Sequence, residues 1–248
     1  PGKASTGYMT SLPSLKAPFV FSCFNHTIFD MQVLTHELGH AFAGYMAMRS
    51  QPISDYYSES TDIAEIHSMS MEQFAYPYAE WFFGDQADKF RFAHLQEALT
   101  FVPFGVAVDE FQHICYAHPE LTPKERTYQW HLLEEKYMPW RKYENDAFME
   151  RGGYWYHKLH IYLYPFYYIN YTLTTMGAME FKKKYAEDKA TAWQNYLKLC
   201  KTGGSRSYLE TLRYAELSNP FEDGSVARAC GYAEDILLKQ IAGQAQNV

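Results

Sequence analysis

The stretch LTHELGHAFAGY places a glutamate directly after the first of two histidines four residues apart: His36, Glu37 and His40. Four residues of α-helix turn the chain through about 400°, which would put the two imidazoles within about 40° of each other on one face, about 6 Å apart along the axis. That spacing suits two ligands to one divalent ion, zinc above all. Glu37 lies about 100° round the helix from His36. From there a carboxylate can face the water on such an ion without displacing it. Val33, Leu34 and Leu38 are apolar and argue for a buried helix. Buried imidazoles and carboxylates need partners, and an ion with its water would satisfy all three.

A catalytic zinc takes a third protein ligand and keeps a fourth position open. The pattern HExxHxxGxxH would supply a third histidine, but residues 43, 44 and 46 are Ala43, Gly44 and Met46, so that version fails. A second stretch, TDIAEIHSMSMEQF, offers Asp62, Glu65, Ser68 and Glu72 at steps of three, three and four residues, on one helical face. Alone, an acidic stripe is a solvated face. Beside a zinc helix it is a source of one ligand and of carboxylates that orient the imidazoles.

The elements that must position these groups read as mostly helical. Met31, Leu34, Leu38, Ala41, Phe42 and Tyr45 recur at helical steps and predict a helix over 29–49, with Asp30 as its N-cap. A second helix is expected over 60–83, kinked or split at Pro77. A helical pattern follows to about residue 118, interrupted at Pro103 and Gly105, with further helices near 124–137, 140–150, 172–200, 205–217 and 224–241. Residues 1–18, carrying Gly2, Gly7, Pro13 and Pro18, read as loop. Phe19, Val20 and Phe21 read as a short strand. Gly152 and Gly153 mark a hinge or plain turn ahead of the aromatic segment 154–171.

The 248 residues, 47% of them hydrophobic, suffice for a buried core in one large domain or two small ones. With a net charge of -7, and with Lys182 to Lys184 as a basic run flanked by Glu180, Glu187 and Asp188, nucleic acid and anionic membranes are poor partners. No apolar run approaches the roughly 20 residues of a membrane helix, and PGKASTGYMT is too polar for a signal peptide. Cys23, Cys115, Cys200 and Cys230 form no CxxC pair and read as free thiols of a reducing cytoplasm. The chain begins at Pro1 in loop-like sequence and reads as a piece of something longer. The other histidines, His94 and His67 among them, read as ordinary surface or core side chains.

HELGH followed by TDIAEIHSMSMEQF resembles the oligoendopeptidase F family of zinc peptidases, relatives of thimet oligopeptidase and neurolysin. The family's third ligand, a Glu, stands 25 residues after the second His, which here is Glu65. The surrounding family pattern, T-D-x-x-E-x-x-S-x-x-x-E, is met by Thr61, Asp62, Glu65, Ser68 and Glu72. GKASTGYMTSLPSLKAPFVFSCFN is similar to the family's loop and edge strand ahead of the zinc helix, and HIYLYPFYYINY, from His160 to Tyr171, to its His- and Tyr-bearing substrate loop.

The resemblance implies a mainly α, zincin-like catalytic domain of neurolysin type over residues 1–248, with a small β region near its start. One Zn²⁺ would be held by His36, His40 and Glu65, with Glu37 as the base and Asp62 and Glu72 supporting the ligands. His160, Tyr164, Tyr168 and Tyr171 become candidates to stabilise the tetrahedral intermediate, Tyr171 foremost. The implied activity is cytoplasmic endoproteolysis of short, unfolded oligopeptides. The family's chains are longer and carry a helical portion ahead of this one, so that N-terminal portion is an expected partner beside the peptides. The alternative expectation is a non-catalytic, zinc-containing domain that binds a peptide or partner and needs the missing half. An intact Glu37 argues against it, since an idle site has no chemical need of a base.

Overall fold

Alternating exposed and half-buried residues make Tyr8–Leu12 a strand, β1, which pairs antiparallel with β2, Ala17–Phe21. Tyr8 stands opposite Phe21 and Leu12 opposite Ala17. A tight turn at Pro13–Leu15 joins them, closed by Lys16 in the left-handed region at φ 47°. The computed structural model describes residues 7–245. The loop expected over 1–18 is therefore corrected from residue 8 onward, and its first six residues lie outside the described part. Pro13 starts the turn, and Pro18 is tolerated in the two-stranded hairpin because an edge strand can dispense with one N–H.

Helix α1 spans Phe29–Ser50 and α2 Thr61–Phe74. Asp30 is not the N-cap of α1. It lies in the first turn, and its carboxylate accepts from the backbone of Asn25 at 2.9 Å and His26 at 2.7 Å, which ties the preceding loop down. The expected second helix does split at Pro77, leaving a turn at Tyr76–Tyr78 and then α3, Ala79–Phe83. Helix α4, Ala87–Ala117, runs through Pro103 and Gly105 without the expected interruption. Proline removes one N–H from the ladder, and a helix of 31 residues survives that loss.

Next come α5, Pro123–Tyr137, started by a Thr122–Glu125 capping box, and α6, Ala147–Glu150. The helix expected over 140–150 shrinks to that single turn because Glu144 and Asn145 take positive φ, 50° and 73°. Gly152 and Gly153 form a packed turn: a Cβ at Gly152 would meet Thr127 O at 2.3 Å. After α7, Leu159–Leu163, the helix expected over 172–200 is two helices, α8, Ile169–Glu187, and α9, Lys189–Thr202. Asp188 separates them by capping α9, accepting from Ala190 N at 3.0 Å and Thr191 N at 3.2 Å. Helices α10, Tyr208–Tyr214, and α11, Ser225–Ala245, complete the described chain. No helix of the described residues is long and apolar enough to cross a membrane.

The chain divides into two units, one reaching to Gln96 and resuming at Leu173, the other Glu97 to Thr172. In the first, Phe74 packs edge-on to Phe181, Trp193 and Tyr196, and Ile63, Ile66 and Leu199 extend this core. The second unit buries Phe104, Phe111, Trp130 and Trp155.

Candidate metal centre

Gly39 brings the two site helices together. A Cβ there would lie 2.6 Å from Ser68 Cα and 2.7 Å from His67 O, so only glycine lets α1 sit this close to the backbone of α2. Across that contact His36 Nε2 and His40 Nε2 face one oxygen of Glu65, at 3.1 and 3.4 Å. The ligand atoms of the three residues all lie within 4.8 Å of one another, the one such group of three or more found among the described residues. Two imidazole nitrogens and a carboxylate oxygen, turned toward a shared point, are the donor set of a divalent transition ion with a position left open. The residues present therefore fit a metal.

Behind the ligands, His36 Nδ1–H donates to Glu72 Oε1 at 2.7 Å. That bond leaves the Nε2 lone pair for an ion. The other oxygen of Glu72 meets His94 Nε2 at 2.6 Å, and His94 Nδ1 meets the Tyr76 hydroxyl at 2.7 Å. Burial opposes charge on His36, but hydrogen bonds to Glu65 and Glu72 outweigh it and push the imidazole up to about 10. Glu65 and Glu72 are held below the usual carboxylate range: burial works against this, and the bonds to the histidines prevail.

Glu37 is 8% exposed, on α1 beside the ligands. Burial raises its pKa, while His36 and His40 pull it down. Gly7, just ahead of β1, packs against it: a Cβ there would be 3.2 Å from Glu37 Cγ.

Asp62 does not join the imidazoles as the stripe suggested. Its Oδ1 is buried without a hydrogen-bond partner, and its charge acts on Tyr208. Sequence reasoning missed three residues near the site. Glu59 accepts from His67 Nδ1 at 3.1 Å and is influenced by His40. His94 and Tyr76 complete the chain behind Glu72. The available signal was that Glu72 has two oxygens and His36 occupies only one.

His160, Tyr164, Tyr168 and Tyr171 belong to the second unit, which brings them together. The His160 ring lies 5.0 Å from that of Tyr168, 6.0 Å from Tyr171 and 6.2 Å from Tyr164. They are not equivalent. Tyr164 is exposed, whereas Tyr168 is buried against Phe101 and Phe104, and its hydroxyl accepts from Lys158 at 3.1 Å. Burial pushes the Tyr168 pKa up and the His160 pKa down, Lys158 adding to the latter.

Fold and site together define the class: a mainly helical protein in which two histidines of an HExxH helix face a carboxylate from the next helix, a group able to hold a metal ion. The chain belongs to Peptidase family M3, whose model matches residues 1–230. It is 27% identical over 216 residues to the oligoendopeptidase F homolog of Borreliella burgdorferi, covering 85% of this chain and 36% of that protein. An X-ray structure named as an oligoendopeptidase F matches at 50% identity and a TM-score of 0.87, over 95% of this chain and 42% of the other. The structure of PZ peptidase A with an inhibitor matches at 47% identity and a TM-score of 0.88, over 96% and 42%. The chain thus spans less than half the length of these relatives.

Proposed function

We propose that this chain carries the catalytic centre of a zinc-dependent endopeptidase that hydrolyses internal bonds of short, unfolded oligopeptides. The observation that carries this is the convergence of His36 Nε2, His40 Nε2 and a Glu65 oxygen within 4.8 Å, in a member of Peptidase family M3. The names of the relatives, oligoendopeptidase and PZ peptidase, support the substrate class.

His36, His40 and Glu65 would hold the ion. A zinc ion there would supply a Lewis acid for the scissile carbonyl and make a water acidic enough to attack near neutral pH. Glu37 takes the proton from that water and passes it to the leaving nitrogen, so the amine departs neutral. Burial, which raises the Glu37 pKa, makes the carboxylate a stronger base and favours the first of these transfers. Glu72 holds His36 in the tautomer that presents Nε2. By the family resemblance His160 with Tyr171 or Tyr164 would serve the oxyanion, and Tyr168, buried against Phe101 and Phe104, would serve packing. The hairpin ahead of α1 would pair with an extended peptide through its backbone. Free thiols at all four cysteines support a cytoplasmic setting. The natural partner beside peptides would be the portion that the longer relatives carry.

Peptides blocked at both ends separate endoproteolysis from exopeptidase action. Cleavage at internal bonds, seen by mass spectrometry and abolished in His36→Ala together with zinc content, is expected. Zinc retained in full by His36→Ala, or cleavage limited to unblocked ends, would contradict the assignment.

A further inference from the structure

We propose that His94 and Tyr76 are positioning residues for the metal ligand His36, acting through Glu72. The proposal deepens the metal-centre reading above and rests on it.

A carboxylate only accepts. With both Glu72 oxygens engaged, the nitrogen facing each must donate: Nδ1–H of His36 to Oε1 and Nε2–H of His94 to Oε2. The other nitrogen of His94 then accepts from the Tyr76 hydroxyl. Each bond fixes the direction of the next, from phenol to imidazole to carboxylate. A glutamate held by one oxygen can turn about its terminal torsion, a broad well. Held by both, its plane is set, and so is the direction of the bond that orients His36.

The outer members are themselves clamped. The His94 ring stacks on Phe90 at 5.5 Å and 9°, and Phe90 stacks on Phe83 at 4.4 Å. Tyr76 is pinned by Lys182, whose Nζ lies 3.4 Å over the ring and also donates to Gln73 Oε1 at 3.1 Å. Arg91 holds the Tyr76 carbonyl at 2.8 Å. Glu72, His94 and Tyr76 are 7%, 7% and 8% exposed. With so little access, solvent is a poor replacement for a deleted donor.

The test is zinc affinity of the 248-residue chain, by chelator competition, with the absorption spectrum of the cobalt(II)-loaded form as a report on ligand geometry. His94→Leu fills space but cannot donate. It should weaken zinc binding by about 10- to 100-fold and shift the cobalt spectrum. His94→Gln can donate to Glu72 and accept from Tyr76, and it should recover most of the affinity and the parent spectrum. Tyr76→Phe should lose about three- to tenfold, at the lower end of such effects.

Parent-like affinity and spectrum in His94→Leu would overturn the proposal, and so would equal losses in the Leu and Gln variants, which would make the role one of shape. If His94→Leu does not fold, Tyr76→Phe decides, since it deletes one hydroxyl: a parent-like result there is equally fatal. A parent chain that binds no zinc would overturn the metal-centre reading itself, and this proposal with it.

Discussion

Glu65 and Glu72 stand two helical turns apart on α2 and do different work, one facing the Nε2 atoms of His36 and His40 and one behind His36 at its Nδ1. Replacing Glu65 with Gln should remove most zinc binding, because it takes away the only negative ligand of the set. Equilibrium dialysis checks this, and an unchanged stoichiometry and affinity would exclude Glu65 as a ligand. The HExxH group was legible because its members sit on one helix, where spacing alone fixes direction. That Glu65 would face the two histidines was legible through the family's spacing. His94 and Tyr76 were not, since His94 meets Glu72, and Tyr76 meets His94, only after α4 has packed against α2 and the turn that follows it.

Lys182 gives a pH prediction at the same scale. Burial, aided by Arg91, pushes it down to about 7, against about 10.4 for an unperturbed lysine. Between those values the unfolded chain binds more protons than the folded one, so this group makes stability rise with pH across the window. Below pH 7 both states are protonated and its contribution is flat. Urea unfolding of the parent and of Lys182→Met from pH 6 to pH 10 should show a slope that the variant lacks. Parallel curves would contradict the burial of the amine.

At the scale of elements, the α1–α2 contact at Gly39 sets the site. Gly39→Ala forces a methyl against the backbone at Ser68 and His67. The helices must part, at a cost of about 1–3 kcal/mol, and Glu65 moves with α2. A lower urea midpoint in the metal-free chain, with weakened zinc binding, is expected; full retention of both would mean that the helices are not held this closely. Asp188→Ala should cost about 1 kcal/mol through loss of the α9 cap, without touching zinc affinity. The helices with clear apolar periodicity, α1 and α2, were legible. The break at Asp188 was hidden inside a continuous helical pattern, because a cap depends on one side-chain geometry rather than on periodicity. Strand β1 was masked by the prolines around it, though Pro13 serves the turn that makes the hairpin possible.

At the scale of the whole molecule, the mainly α class followed from the dominance of three- and four-residue steps, whereas the division into two units depends on packing that no local pattern records. Zinc bound to the folded chain alone must stabilise it by mass action, about 2.7 kcal/mol at a hundredfold excess over Kd. The parent should therefore melt higher with zinc and return on chelation. His36→Ala should show neither change. A zinc-dependent shift retained in that variant would place the ion elsewhere.

The most direct test of the catalytic assignment is zinc content and quenched-fluorescent peptide cleavage, measured side by side on the parent chain and on Glu37→Gln. The account predicts one zinc per chain in both, cleavage by the parent, and a loss of about 10²- to 10⁴-fold in the variant. A Glu37→Gln variant that cleaves as fast as the parent, or a parent that cleaves without bound metal, would contradict it.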